Sequence, residues 1–194
     1  MLTDAEVIQR SFREPEAFGE IFERHYETVA RYSRRRLGAH AGEDVAAQAF
    51  VVALERRARF DLRYGTARPW LLGIAANLIR HHLRDERVHA SALARTLIDP
   101  PPPPIDDPSA IDAALLRPAL TAALQALSDD DRETFLLVAL GEITYPEAAV
   151  ALGIPVGTVR SRLHRARRTL RERLDDLEAI TDQREEMKRH DQDG

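Results

Sequence analysis

Along the chain, apolar residues return every three or four positions and strand-like alternation is missing, so the sequence predicts helix almost throughout. One break stands out. Ile98-Asp99 is followed by the proline run Pro100 to Pro104 and then by Ile105-Asp106-Asp107-Pro108-Ser109. A proline run cannot continue a helix and tends to an extended, semi-rigid form. Its acids, Asp99, Asp106, Asp107 and Asp112, have no basic residue among them. The pattern predicts an all-α chain with one helical domain over residues 1–90, a linker over 91–114 and a second helical domain over 115–174. Residues 175–194 read as a helix extension or a frayed acidic tail, and Met1–Glu14 as a short helix or a disordered start. No internal repeat is visible.

The second half carries the denser signals. Ser128 with Asp131 resembles a helix-capping pair, and Phe135, Leu136 and Leu140 follow as an apolar stripe that Gly141 ends. Thr144 and Glu147 form a second capping box, with Pro146 tolerated in the first turn, where amide hydrogens lack partners anyway. The helix that follows is short, Tyr145 to Leu152, then Gly153 suits a turn and a third helix opens near Pro155-Val156. Ala149, Gly153 and Val159 sit where a helix-turn-helix needs a small residue, a turn glycine and a buried branched residue. On the third helix Val159, Leu163, Ala166 and Leu170 share one face, and Arg160, Ser161, His164, Arg165, Arg168 and Arg171 the other. Such units place the N-terminal part of the second helix in the major groove, so Thr158, Arg160, Ser161, His164 and Arg165 are the candidates for base contacts. The later arginines suit phosphates, which give affinity without reading sequence.

Composition narrows the class. At 194 residues the chain has room for one ordinary domain or two small ones. No apolar run approaches the roughly 20 residues of a membrane-spanning helix. The start MLTDAEVIQR has acids where a secretory signal carries basic residues, so no membrane insertion and a cytoplasmic, nucleoid location are expected. Cysteine is absent, which removes disulfides, thiolate nucleophiles and Cys-based zinc sites. The net charge of −4 argues against nucleic acid until its distribution is followed. Between Val159 and Arg173 seven arginines face the single acid Glu172, whereas the tail beyond is rich in acids. The local field, and not the sum, decides which polyanion approaches. An Arg-rich face can be merely solvated, but capping boxes, turn glycine and buried periodicity together favour DNA binding.

The string TYPEAAVALGIPVGTVRSRLHRARRTLRERL closely resembles the promoter-reading fourth domain of extracytoplasmic-function sigma factors, with PVGTVRSRLHRAR its most specific part. The resemblance implies contacts to the −35 promoter element by Thr158, Arg160, Ser161, His164, Arg165 and Arg168. A helix-turn-helix alone also fits a response-regulator output domain, and the N-terminal half discriminates. FGEIFERHYETVARYSRRRLG resembles the first helix of the family's second domain, and EDVAAQAFVVALERRARFD its polymerase-binding helix. On the latter, Ala46, Ala49, Phe50, Ala53 and Leu54 share a face expected in the core. Asp44, Ala47, Gln48, Val51 and Glu55 share the other, which the resemblance docks on a coiled coil of the polymerase β′ subunit; Ala47 and Gln48 depart from the Gln and Glu common in the family.

FDLRYGTARPWLLGIAANLIRHHLRDER resembles the loop and helix that read and open the −10 element. Periodicity predicts a buried side of Leu71, Ile74, Ala75 and Leu78, an exposed side of Asn77, Arg80, His81 and Arg84, and Trp70 in the core. An amide such as Asn77 can bond a base edge, and Arg80 and Arg84 can hold phosphates. The resemblance makes Leu62 to Ala67 a base-capture loop, which brings in Arg63 and Tyr64; Tyr64 either stacks on a base or packs on its own domain. The implied partners are core RNA polymerase (β′ coiled coil and β flap), promoter DNA as −35 duplex and melted −10 strand, and an anti-sigma protein. The linker either threads the polymerase RNA path or is a spacer.

Neighbouring His81 and His82 point about 100° apart on a helix and, with His89, have neither a Cys partner nor a carboxylate at i+4 that completes a site, so no metal or other cofactor is expected. No glycine-rich phosphate loop or nucleophile–base pair supports an enzyme. Against the sigma reading stand a stand-alone helix-turn-helix regulator, which leaves the first domain idle, and a scaffold, which tolerates loss of Arg160 and Arg165.

Overall fold

The computed structural model describes residues 2–93 and 119–192, with side chains described for 2–86 and 119–175. Most of the expected linker therefore lies outside the described residues, as do the side chains of His89 and of the tail beyond Asp175. Helices α1 (Asp4–Arg10), α2 (Gly19–Leu37), α3 (Ala39–Glu55) and α4 (Arg68–Leu93) form the first half, with 3₁₀ turns at Pro15–Phe18 and Arg57–Arg59. Helical residues 119–125, here α5, precede α6 (Asp129–Gly141), α7 (Tyr145–Leu152) and α8 (Val156–Gln192). No strand occurs among the described residues, as the all-α reading expects. The start of the chain is a helix, and the tail continues α8 to Gln192.

Local chemistry sets the boundaries. Thr3 and Glu6 form a capping box that starts α1, and Thr144 with Glu147 does the same for α7, with Pro146 in its first turn. Ser128 Oγ accepts from the Asp131 amide at the start of α6. Gly38 turns the chain between α2 and α3 at φ 81°, and Gly153 ends α7 in the left-handed region at φ 65°.

The helices fall into two compact units, one from residues 1–98 with 136–159 and the other from 99–135 with 160–194. In the first, α2, α3 and α4 pack together and α7 packs on α4. Ile21, Val29 and Tyr32 of α2 are fully or almost fully buried, as are Ala46, Ala49 and Ala53 of α3 and Leu71, Leu72 and Ile79 of α4. Two close approaches hold this arrangement. A Cβ on Gly42 of α3 would stand 2.6 Å from the Arg34 Cα of α2, and one on Gly73 of α4 would stand 2.2 Å from the Ala151 carbonyl oxygen of α7. Around them, Arg68 donates to the carbonyls of Gly141 (3.0 Å) and Glu142 (2.7 Å), and Arg35 to that of Leu140 (3.2 Å). Arg35 and Arg31 also pair with the Glu142 carboxylate at 3.0 and 3.5 Å, and Glu142 itself adopts φ 53°. These arginines satisfy carbonyls at the end of α6 that lack intrahelical partners. The second unit packs Ala123 and Leu127 against Ala166 and Leu170, with Leu124 and Phe135 beside them.

The α4 face departs from expectation. The fully buried positions are Leu71, Leu72, Ala75 and Ile79, with Ala76 almost so, whereas Ile74 and Leu78 are half-buried. Helix α4 is covered on two sides: the end of α6 reaches Leu72, where a Cβ on Gly141 would stand 3.7 Å from Leu72 Cδ1, and α7 rests on Gly73, so the fully buried stripe turns toward Leu72. Trp70, expected in the core, is also half-buried, tilted on Phe60 at 5.2 Å between ring centroids. Leu54 is half-buried at the edge of α3.

Replacing a helical glycine by alanine normally stabilises by about 1 kcal/mol. At Gly73 the added methyl meets backbone, so Gly73→Ala is expected to lower the unfolding free energy by a net of about 1 kcal/mol, read as a lower urea midpoint. A raised midpoint would mean that α7 does not rest on α4.

Candidate nucleic-acid and partner interfaces

The α7–turn–α8 segment is built from its glycine outward. The Gly153 amide donates to the Val150 carbonyl (3.3 Å) and Ile154 to that of Ala149 (3.1 Å), which closes α7. Thr158 and Val159 amides then bond the Pro155 carbonyl, starting α8. Val159, Leu163, Ala166 and Leu170 are buried, and Arg160, Ser161, His164, Arg165, Arg168 and Arg171 are exposed, with Thr158 half-buried. The first turn of α8 carries no acid, so its positive dipole end is not neutralised from within.

Two cations on α8 are held by α6. Arg165 forks onto Asp131 through Nε (3.0 Å) and Nη2 (2.7 Å), with the carboxylate almost buried and the guanidinium half-exposed. Arg162 pairs with the neighbouring Asp130. The Arg165 guanidinium holds the Asp131 carboxyl below its ordinary value, against the opposing effect of burial. A bidentate fork fixes the guanidinium plane and leaves its remaining hydrogens free to donate. Sequence reasoning missed this pairing, because 34 residues separate the partners and only packing brings them together.

The −10 candidates lie on α4 and the loop before it. Arg80 Nη2 donates to Asn77 Oδ1 at 2.5 Å. That bond orients the amide and leaves its NH₂ as the donor for a base acceptor. Asn77 is half-buried instead of lying on an open face, in a cleft of about 340 Å³ walled by Val52, Arg56, Trp70, His81 and Ala151. Arg80, His81 and Arg84 are exposed. In the loop, Arg63 chelates Asp61 through Nε (2.9 Å) and Nη2 (2.6 Å), which lowers the Asp61 carboxyl to about 2. Tyr64 is 42 % exposed and, with Phe60, Trp70 and Ile154, lines a cavity of about 640 Å³. The Asp61 contribution has a local sequence signal, an acid two residues before an arginine at a turn.

On α3 the face Asp44, Ala47, Gln48, Val51 and Glu55 is exposed throughout, and Val51 is 57 % exposed. The helix is fixed beneath that face. Glu43 accepts from the Tyr26 hydroxyl at 2.6 Å and pairs with Arg34, and both lower its carboxyl. Tyr26 stacks on Phe22 at 4.6 Å, and Phe22 meets Phe50 edge-on at 5.0 Å. His82 pairs with Glu86 at 3.3 Å, one turn along α4, and no group of metal-holding side chains occurs among the described residues. No described helix is long and apolar enough to cross a membrane.

The chain matches the family model for sigma-70 region 2 over residues 21–88 and that for sigma-70 region 4 over residues 117–170. It is 37% identical over 166 residues to the RNA polymerase sigma factor CarQ of Myxococcus xanthus, covering 84% of this chain and 92% of CarQ. It is 28% identical over 164 residues to the ECF RNA polymerase sigma factor BldN of Streptomyces coelicolor, again over 84% of this chain. That match spans only 62% of BldN. Among solved structures it is similar to CnrH in complex with the cytosolic domain of CnrY, with a TM-score of 0.59 and 27% identity over 89% of this chain and 97% of CnrH.

The Asp131–Arg165 fork carries a pH signature. A carboxyl whose folded value is depressed contributes stability above its unfolded value, near pH 4, and loses it as pH falls through the folded value. Asp131→Asn is therefore expected to cost about 1 kcal/mol of unfolding free energy at pH 7. The gap from the parent chain should close below pH 4; a gap independent of pH would contradict the fork.

Proposed function

The chain belongs to the extracytoplasmic-function family of RNA polymerase sigma factors, and on that footing we propose that it binds core RNA polymerase and directs it to promoters through −10 and −35 elements. The carrying observation is that one chain holds both halves of the task. It has an exposed α3 face over a rigid three-helix core, and an arginine-lined α8 face over a buried stripe.

In this reading residues 1–90 grip the polymerase and open DNA, 91–114 link, and 115–174 read the −35 duplex. Asp44, Ala47, Gln48, Val51 and Glu55 dock on the β′ coiled coil, and the second domain meets the β flap. Asn77 bonds a base edge of the melted −10 strand, Tyr64 stacks, and Arg63, Arg80, His81 and Arg84 follow its backbone. Thr158, Arg160, Ser161, His164 and Arg165 face bases in the −35 major groove, with Arg168 on phosphate. The protein positions DNA and catalyses nothing itself, works in the cytoplasm at the nucleoid, and has an anti-sigma protein as its expected inhibitor. A stand-alone regulator would leave the exposed face of α3 without a role.

The test is transcription by the reconstituted holoenzyme from a promoter library with randomised −35 and −10 segments. Enrichment of two spaced motifs is expected with polymerase, and little duplex binding without it. Arg160→Ala should cost about 1–3 kcal/mol at one −35 base pair. An equal loss on templates with a scrambled −35 segment would refute the base-reading role.

A further inference from the structure

No single residue ahead of α2 is given a role in the scheme above, yet one of them places a buried carboxylate against the proposed capture loop. Asp4, at the start of α1, is 6 % exposed. Its Oδ1 accepts from Arg24 Nη1 at 2.9 Å, and its Oδ2 from His25 Nε2 at 2.6 Å. The same Oδ2 accepts from the backbone amide of Ala67 at 2.8 Å, and the Asp4 amide donates to the Gly65 carbonyl at 3.3 Å. Two bonds therefore tie one residue of α1 to the C-terminal end of the loop, 63 positions away.

The remainder of the loop has few anchors of this kind. Leu62 to Thr66 are exposed, whereas Ala67 is fully buried and Phe60 is 7 % exposed. At the other end, the Tyr64 amide bonds the Asp61 carbonyl at 3.0 Å and Asp61 chelates Arg63. The exposed segment is thus stretched between an Asp61 turn and the Asp4 anchor. Asp4 is itself held firmly. The Thr3–Glu6 capping box fixes the start of α1, and Arg24 also reaches the Leu2 carbonyl (2.9 Å) and Glu20 (3.2 Å). Three donors converge on Asp4, which suits a carboxylate, since alanine accepts nothing and asparagine offers only one oxygen.

We propose that Asp4 is a positioning residue for promoter-strand capture: it fixes the 62–67 loop so that Tyr64 and Arg63 meet the extruded strand already in place. This rests on the −10 reading above. Loop ordering is then complete before DNA arrives, and binding does not spend its energy on it. Helix α1 becomes a brace for the reading loop, although it touches no DNA in this scheme.

The experiment uses the full chain assembled with core polymerase, and fork-junction DNA whose single-stranded −10 segment is randomised. Sequences retained by the parent holoenzyme are collected, and retention of that pool over the unselected pool is compared for Asp4→Ala and Asp4→Asn. Asp4→Ala is expected to keep core binding and to lose discrimination by about tenfold or more, the scale of a small misplacement. Asp4→Asn, which keeps one acceptor for Ala67, should recover part of it. Undiminished discrimination in Asp4→Ala overturns the proposal, and so does a loss matched by an equal loss of core binding. If the parent holoenzyme enriches no sequence, the −10 reading falls and the brace with it, whatever the variants do. A measurement on the unaltered chain is independent of variant folding: the Ala67 amide should exchange with solvent far more slowly than that of Gly65. Equal rates there also overturn it.

Discussion

The close approach of α2 and α3 governs the rest of the first unit. Gly42 lets the start of α3 lie directly on the backbone of Ser33 and Arg34, where no side chain fits. Ala46, Ala49 and Ala53 continue that contact as small residues one turn apart, all fully buried. Small residues inward force the opposite face outward, so Asp44, Gln48 and Val51 project from a helix that cannot rotate. Arg34 and Tyr26 then clamp Glu43 beside them. The third helix, α4, closes this core and presents Asn77 and Arg80 at its far side. Both proposed surfaces of this unit are therefore consequences of one packing decision.

Charge is managed locally. The chain as a whole is acidic, yet the exposed arginines of α8 sit over a buried apolar stripe and are steadied by α6 carboxylates. Arg63 is steadied likewise by Asp61. A flexible arginine loses side-chain entropy when it meets a base or phosphate, and a fork already made removes part of that cost. Ion pairs that stay partly in contact with solvent, as these do, add about 1 kcal/mol or less to stability. Their effect is on geometry: they hold donors where a polyanion would need them.

Much of this was legible in the sequence, and the limits have physical causes. Capping at Thr144 and Glu147, the turn at Gly153 and the stripe from Val159 to Leu170 are local or periodic, so they could be read directly. The exposed face of α3 followed from the same periodicity. The face of α4 did not, because a single helix pattern does not reveal that the end of α6 reaches Leu72 and α7 rests on Gly73; the buried stripe turns toward Leu72 and leaves Ile74, Leu78 and Trp70 half-buried, while Asn77 lies in a cleft instead of on an open face. The partners of Arg165, Glu142 and Asp4 lie 34, 107 and 63 positions away. Such pairs leave no periodic trace, and neither does the Gly73–Ala151 contact. The His82–Glu86 pair was within reach, being one turn apart on a predicted helix.

The central claim is that the exposed face of α3 engages core RNA polymerase. Size exclusion of the purified chain mixed with core enzyme, beside an Asp44→Arg, Gln48→Arg variant, tests it most directly. Both positions are exposed and outside the core, so the variant should fold. Co-elution of the parent chain that the variant loses is the result this account predicts. A parent chain that elutes alone at low and moderate salt, while binding duplex DNA by itself, would contradict it.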